Sequence, residues 1–511
     1  MGVMSSTSLS ASSLAERTEA RRVDASRGVA DEKRSEFGQF FTPGPVADLL
    51  ASMFEPTVGP TRILDAGAGS GSLTAALVGR MVREQWPVAA HAHAVEFDSR
   101  LQATLQETLH ECELTAADFT AELHQADFIE WAVDRLSTGL FVTGDERFEL
   151  AILNPPYRKL NTASRERQLL RAAGIETSNL YSAFVALSLR LLEPGGQLVA
   201  ITPRSFCNGP YFTLFRELIL REAAVRRIHL FGARDTTFRD SSVLQENVIF
   251  HLVKGRDQGA VIISSSDGSG GDVITSRLVE FDRVVHTGDQ NKFIHLVTDA
   301  ADSGIATRIG QMDATIGELD VCVSTGRVVD FRAQKHLRTS PEPGTVPLLY
   351  PMHLRDGRVQ WPGTSSKKAC AMATNAETTS LLLPNGNYVL VKRFSSKEER
   401  RRIVATVLDC NDLDAKFVAI ENHINVFHRE NAGLDIDLAW GLATYLNSTV
   451  VDQFFRQFNG HTQVNATDLR SLRFPSRHCL TALGRDARTS KFEQSTIDAI
   501  VDRHVPGLAG S

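Results

Sequence analysis

The stretch Phe148-Glu149-Leu150-Ala151-Ile152-Leu153-Asn154-Pro155-Pro156-Tyr157 decides how the rest of the chain reads. The apolar run at 150–153 is short and bounded by punctuation, the signature of a buried strand in a parallel sheet. Asn154 precedes a proline, which biases it toward extended backbone, and the two consecutive prolines stiffen the following residues and remove two amide donors. The strand therefore ends in a rigid elbow lined with carbonyls. Open α/β sheets bind their ligands at this end of their strands.

The elbow places an amide oxygen beside a proline-fixed carbonyl, with the aromatic face of Tyr157 next to both. Two acceptors aimed at one point suit an exocyclic amine on a planar ring. The amine of adenine is a poor nucleophile because its lone pair is delocalised into the ring. Acceptors pulling on its two hydrogens favour the pyramidal, nucleophilic form, and such contacts strengthen as the transition state forms. Asn-Pro and Pro-Pro are also ordinary turn signals, so the neighbouring segments have to decide between a site and a plain turn.

Upstream, Arg62 to Ala66 reads as a strand, Gly67-Ala68-Gly69-Ser70-Gly71 as a glycine loop, and Ser72 to Met81 as an amphipathic helix. This is the opening unit of a nucleotide-binding doubly wound domain, where glycine lets the backbone approach a ligand closely. The spacing is GxGxG, which favours a ligand smaller than a pyrophosphate, such as the amino-acid end of S-adenosylmethionine. His91 to Glu96 reads as the second strand; Glu96, followed by Asp98, is placed to accept from both ribose hydroxyls. Leu123 to Phe128 reads as the third, with Asp127 suited to an adenine amino group and Phe128 to covering the ring. Before the first strand, Ser35 to Phe54 runs from an aromatic approach into a helix, with Thr42 as N-cap and Pro43 at the first helical position.

Downstream come a helix from Asn179-Leu180-Tyr181 closed by Glu193-Pro194-Gly195-Gly196, a strand at 197–202, a helix at 211–222, strands at 225–231 and 247–253, and a loop at 232–243 carrying Phe238. A loop phenylalanine beside a cleft is either a lid on the core or a platform for stacking. The run Ile263 to Asp272, ISSSDGSGGD, reads as a flexible boundary. Beyond it, short strands and a helix at 438–458 mix with basic and polar clusters: Arg327, Arg332, Lys335, His336, Arg338; Lys392 and Arg393; Asn459, His461, Gln463 and Asn465. These side-chain types read base edges and phosphates. Arg400 to Arg402 reads as a solvated face.

Composition sets the outer bounds. A chain of 511 residues with 42% hydrophobic and 23% charged residues is an ordinary globular protein of two or three domains. A net charge of −6 excludes wholesale non-specific nucleic-acid binding while leaving room for a local basic cleft. The six cysteines are scattered, as in a reduced cytoplasmic protein; no metal-ligand cluster is visible, and no apolar run reaches membrane-spanning length. Residues 1–30, rich in Ser, Ala, Arg and Glu, read as a disordered leader.

In this order the motifs FFTP, DAGAGSG, AVEFD, QADF, ILNPPY, NLYSAF, LLEPGGQLVAITP and NVIFHLV resemble the gamma-class N6-adenine DNA methyltransferases of bacterial restriction-modification systems, the Taq-type modification enzymes. The match is strong over 35–255 and weaker beyond. It implies an α/β fold with a doubly wound, mostly parallel sheet at 31–260, an extension or linker at 261–299, and an α+β target-recognition domain at 300–511. It implies S-adenosyl-L-methionine as cofactor, with Thr42 and the loop residues Asp65, Ala66, Gly67, Gly69 and Gly71 on the methionine part, Glu96 on the ribose, and Asp127 and Phe128 on the adenine. Asn154, Pro155 and Tyr157 would then receive a flipped target adenine, Phe238 would stack on its other face, and Arg332, Lys335, Lys392, Arg393, His461 and Gln463 would contact duplex DNA. A monomer with no catalytic metal, working beside a separate restriction endonuclease, is expected.

Two rivals share part of this reading. A protein-glutamine methyltransferase faces the same amide problem and also carries NPPY, but leaves the segment after 270 and the early FFTP unexplained. A non-catalytic DNA-binding subunit of a defence complex would have no use for intact Asn154, Asp127 and Glu96.

Overall fold

Strand β4 (Phe148–Leu153) is buried on both faces, as its unbroken apolar run requires. Leu150 and Ile152 pack into one apolar core while Ala151 and Leu153 pack into another. The strand is central to a nine-stranded sheet whose first five members are β1 (Thr61–Ala66), β2 (Ala90–Glu96), β3 (Phe119–Gln125), β4 and β5 (Leu192–Pro203). They are followed by β6 (Ala223–Phe231), β7 (Asn247–Lys254), β8 (Val261–Ser266) and β9 (Thr275–Val279), in spatial order β3-β2-β1-β4-β5-β7-β6-β8-β9. From β3 to β5 all pairings are parallel, and β7 runs antiparallel between β5 and β6. Chain order reverses at β1, which puts the crevice outside the ends of β1 and β4, the place where such sheets bind ligands.

This computed structural model describes residues 11–27, 41–86, 89–137, 147–231, 247–266, 274–296, 304–305, 308–363, 368–395, 399–458 and 463–508. They divide into two units, 1–298 and 299–511. In the first, helices α1 (Ala11–Arg27), α2 (Gly44–Ser52), α3 (Ser72–Arg83), α4 (Gln102–Thr115), α5 (Phe128–Leu136), α6 (Arg165–Ala172), α7 (Leu180–Leu191) and α8 (Thr213–Glu222) cover the sheet. One face packs on Leu14, Val46, Leu50, Leu73 and Leu77, the other on Ile129, Phe184, Val185, Leu187 and Leu218.

Four expectations change here. Residues 11–27 are not a disordered leader: α1 buries Leu14 completely, and Arg17 and Arg21 pair with Glu111 of α4. The segment 261–299 is not simply a linker, since β8 pairs in parallel with β6 and β9 closes the sheet edge. The turn Glu193 to Gly196 belongs to β5, entering beside a register shift opposite Phe148–Leu150. Thr42 is not the cap of α2; Pro43, in extended backbone, holds that position.

The second unit contains a six-stranded sheet, a five-stranded sheet and a two-stranded ladder. The expected single helix at 438–458 is two, Ile436–Leu446 and Thr449–Phe458. The first of these packs against Arg477–Arg488 so closely that a Cβ on Gly441 would lie 1.9 Å from the Leu480 carbonyl oxygen, and one on Gly484 1.7 Å from that of Asp437. Arg402 is buried rather than on a solvated face; its guanidinium donates to the Ser395 carbonyl and its amide to Asp452.

Candidate active site

The ends of β1, β2 and β4 surround a cavity of 350 Å³, within the range of small-molecule sites. Its wall includes Phe41, Gly67, Gly69, Glu96, Phe97, Asp127, Phe128, Asn154, Pro156, Arg158, Glu166 and Phe184.

The glycine loop owes its shape to left-handed backbone at Gly67, Gly69 and Gly71, with φ of 78°, 58° and 80°, where a side chain is strained. The amides of Gly67 and Ala68 both donate to the Val95 carbonyl, at 2.9 and 3.0 Å, pinning the loop to β2. A Cβ on Gly69 would meet nothing within 4 Å, so this is where the backbone is open to a ligand. Asp65, Ala66 and Gly71 do not reach the cavity wall. Asp65 is fully buried beneath the loop, where Thr74 Oγ1 donates to its Oδ2 at 2.6 Å. Burial raises its carboxyl to about 7.

Glu96 ends β2 nine-tenths buried. Its Oε2 accepts from the Gly69 amide at 2.8 Å and its Oε1 from the Asp98 amide at 2.7 Å, so each oxygen is fixed and keeps a lone pair for a ligand hydroxyl. Burial raises its pKa against the pull of these bonds. Asp127 caps α5, its Oδ1 accepting from the amides of Ile129 and Glu130. Phe128 is buried on the wall, its ring 4.7 Å from that of Phe184.

At the end of β4, Asn154 Nδ2 donates to Thr42 Oγ1 at 2.9 Å. Its Oδ1 accepts from the Tyr157 hydroxyl at 3.1 Å, and that hydroxyl also lies 3.4 Å from the Ile201 carbonyl of β5. The structure thus brings Thr42, Asn154 and Tyr157 into one hydrogen-bonded chain. Pro155 is buried, and Tyr157 is half-buried against the core, its ring edge-on to Tyr181. Phe41, Phe97, Arg158, Glu166 and Phe184 are wall residues that the sequence reading missed. Phe41, Phe97 and Phe184 each stood inside a quoted motif, FFTP, AVEFD and NLYSAF, whereas Arg158 and Glu166 carried no signal; Phe97 is 65% exposed.

In the second unit, Arg393 and Gln463 meet: the Arg393 carbonyl accepts from the Val464 amide, and Phe394 pairs with Gln463. Lys392 ends the adjoining strand, Tyr388–Lys392. The Arg393 guanidinium donates to the Asn422 carbonyl. Arg332 and Lys335 are exposed on a separate helical segment at 330–336, where Lys335 pairs with Glu377. Phe238 and His461 lie outside the described residues.

Comparison with known proteins identifies the family. Residues 74–238 match the family model of the Eco57I restriction-modification methylase. The chain is 42% identical over 486 residues to the type II methyltransferase M.PstI of Providencia stuartii, covering 94% of this chain and 95% of that one. It is 45% identical over 469 residues to the type II methyltransferase M.BsuBI of Bacillus subtilis, covering 91% and 93%. Among solved structures, the type IIL restriction-modification enzyme MmeI in complex with DNA shares the fold, with a TM-score of 0.55 at 11% identity over 97% of this chain and 74% of that one.

The residues present fit S-adenosylmethionine. The open backbone at Gly69, the anchored Glu96 and the aromatic wall of Phe97 and Phe128 suit its parts, and a wall with three carboxylates and one guanidinium favours a ligand bearing sulfonium and ammonium charges. Full-length kinship with type II methyltransferases and a sheet built to this plan make the chain a member of the DNA methyltransferases of restriction-modification systems, with S-adenosylmethionine as its methyl donor.

Proposed function

We propose that the chain methylates N6 of an adenine flipped out of duplex DNA at a specific site. The observation that carries this reading is the Asn154 amide, held between Thr42 and Tyr157 on the wall of the cavity that also presents Gly69 and Glu96. The donation to Thr42 fixes which way the amide points and so aims Oδ1 as an acceptor. The Pro155 carbonyl is the second acceptor. Together they draw the amine toward its nucleophilic form, a contact stronger in the transition state than in the ground state.

S-adenosylmethionine supplies an electrophilic sulfonium methyl. The remaining roles fall to the chain: Glu96 holds the ribose, Asp127 and Phe128 the cofactor's adenine, and the loop backbone at Gly67 and Gly69 with Thr42 the methionine part, while Asp65, Ala66 and Gly71 support the loop from beneath. Flipping costs a few kcal/mol, which stacking against Tyr157 and Phe238, worth about 1–3 kcal/mol per base, offsets. Arg332, Lys335, Lys392, Arg393, His461 and Gln463 contact the DNA from the 299–511 unit. The enzyme acts as a monomer in the cytoplasm and protects the site from a separate endonuclease. The protein-glutamine reading has no support in relatives that match more than nine-tenths of the chain.

Asn154→Ala tests the assignment. It should bind S-adenosylmethionine as the parent does while methyl transfer to duplex DNA falls by about 100-fold or more, the scale set by removing one transition-state contact. Turnover at the parental rate refutes the role of Asn154, and product other than N6-methyladenine refutes the choice of base.

A further inference from the structure

His91 and His93 stand two residues apart on β2, so both imidazoles leave the same face of the sheet. β3 is the edge strand beside them, and the parallel register sets Thr120 opposite His91 and Glu122 opposite His93. One ligating atom from each of His91, His93 and Glu122 lies within 4.8 Å of the others. Both rings are steadied by partners on β3: His91 Nδ1 lies 2.7 Å from Thr120 Oγ1 and His93 Nδ1 2.9 Å from His124 Nε2. None of these residues lines the cavity, and methyl transfer uses none of them.

We propose that His91, His93 and Glu122 form a binding site for one divalent transition-metal ion of the zinc class. Two imidazoles and a carboxylate are a donor set that zinc, cobalt(II) and nickel(II) accept, whereas magnesium and calcium require oxygen ligands throughout. Bonds of about 2.0–2.2 Å place tetrahedral ligand atoms about 3.3 Å apart. The contraction from the present spacing falls to Glu122, whose side chain is 57% exposed at the sheet edge and free to change rotamer. That exposure also gives the ion a way in, and solvent supplies the fourth ligand. The ion would tie the edge strand to β2 three residues before Glu96, bracing the strand that carries the ribose contact. It has no part in the transfer step.

The test uses the full-length protein freed of metal with a chelator. Cobalt chloride titration should produce visible d–d absorption that saturates at one equivalent, with an apparent Kd of about 10 µM or tighter. Zinc chloride should displace it and raise Tm by several degrees, while magnesium chloride does neither. Glu122→Ala and His91→Ala change side chains that are at least partly exposed, so both should fold, and each should weaken binding about tenfold or more. Their metal-free methyl transfer should equal that of the parent. Absence of a stoichiometric cobalt spectrum in the parent overturns the proposal, as does binding in both variants as tight as in the parent.

Discussion

Asn154 has both ends of its amide engaged before any base arrives. An incoming amine therefore meets an Oδ1 that already accepts from the Tyr157 hydroxyl, and the amide cannot rotate away while Thr42 accepts from Nδ2. Thr42→Val removes that acceptor. A neutral hydrogen bond is worth about 0.5–1.5 kcal/mol, so single-turnover methylation should slow about 3- to 10-fold, and Thr42→Ser should restore it. Equal rates in the valine variant and the parent would mean that Asn154 is positioned without Thr42. Asp65 gives a prediction in pH. Its folded-state carboxyl titrates near 7 against 3.8 in the unfolded chain because burial disfavours the charge. Between these values the unfolded chain has released its proton and the folded one has not, so stability falls as pH rises through the window and levels off above it. Asp65→Asn should flatten that slope, worth no more than about 4 kcal/mol across the window, when urea midpoints of the cofactor-free proteins are compared at pH 4.5 and 7.5. A slope unchanged by the substitution would place the titration elsewhere.

Among the elements, α1 changes the picture most. Glu19, held by Arg22, accepts from the Gly44 amide at 3.1 Å, so α1 satisfies the free start of α2 two residues after Thr42. The burial of Leu14 fixes the helix to its neighbours α3 and α4. Leu14→Ala should cost about 2–4 kcal/mol in urea unfolding, and Glu19→Ala about 1 kcal/mol, with slower methylation because the Thr42 turn loosens. Full activity in a stable Leu14→Ala protein would separate α1 from the site. Nothing in the sequence betrayed this helix, because its polar composition matches a solvated tail and its ion-pair partner Glu111 lies about ninety residues away. The β8 strand was hidden by the serines that follow Ile263, tolerable near a sheet edge with one open side. By contrast β1, β2 and β4 were legible within one or two residues, since a strand buried on both faces must be apolar and must end where glycine or proline stops it. Gly67, Gly69, Glu96 and Asn154 were found for the same reason, each at the end of such a strand or just beyond it; Asp127 and Phe128 were found although the third strand runs 119–125 rather than 123–128, so that Asp127 caps α5 and Phe128 opens it. Phe184 and Arg158 were not, because helix packing and a bend in the chain bring them to the wall. The facing of Glu122 with His93 depends on strand register, which no local pattern states.

At the scale of the whole molecule, the two units differ in how they are built. The first is organised by one sheet with a core on either side. The second is assembled from smaller sheets and closely docked helices, with Arg393 and Gln463 gathered at one place and Arg332 and Lys335 at another. If the proposed division of labour is right, a chimaera joining 1–298 of this chain to the corresponding second unit of M.BsuBI should methylate the sites of the donor of that second unit, read by sequencing DNA from an expressing host. Methylation at the parent's own sites would put recognition in the first unit. Each unit is one uninterrupted stretch of chain, 1–298 and then 299–511. Should the second unit set the site as proposed, a single recombination event in the gene would deliver a new address to an old catalyst with no change to its chemistry.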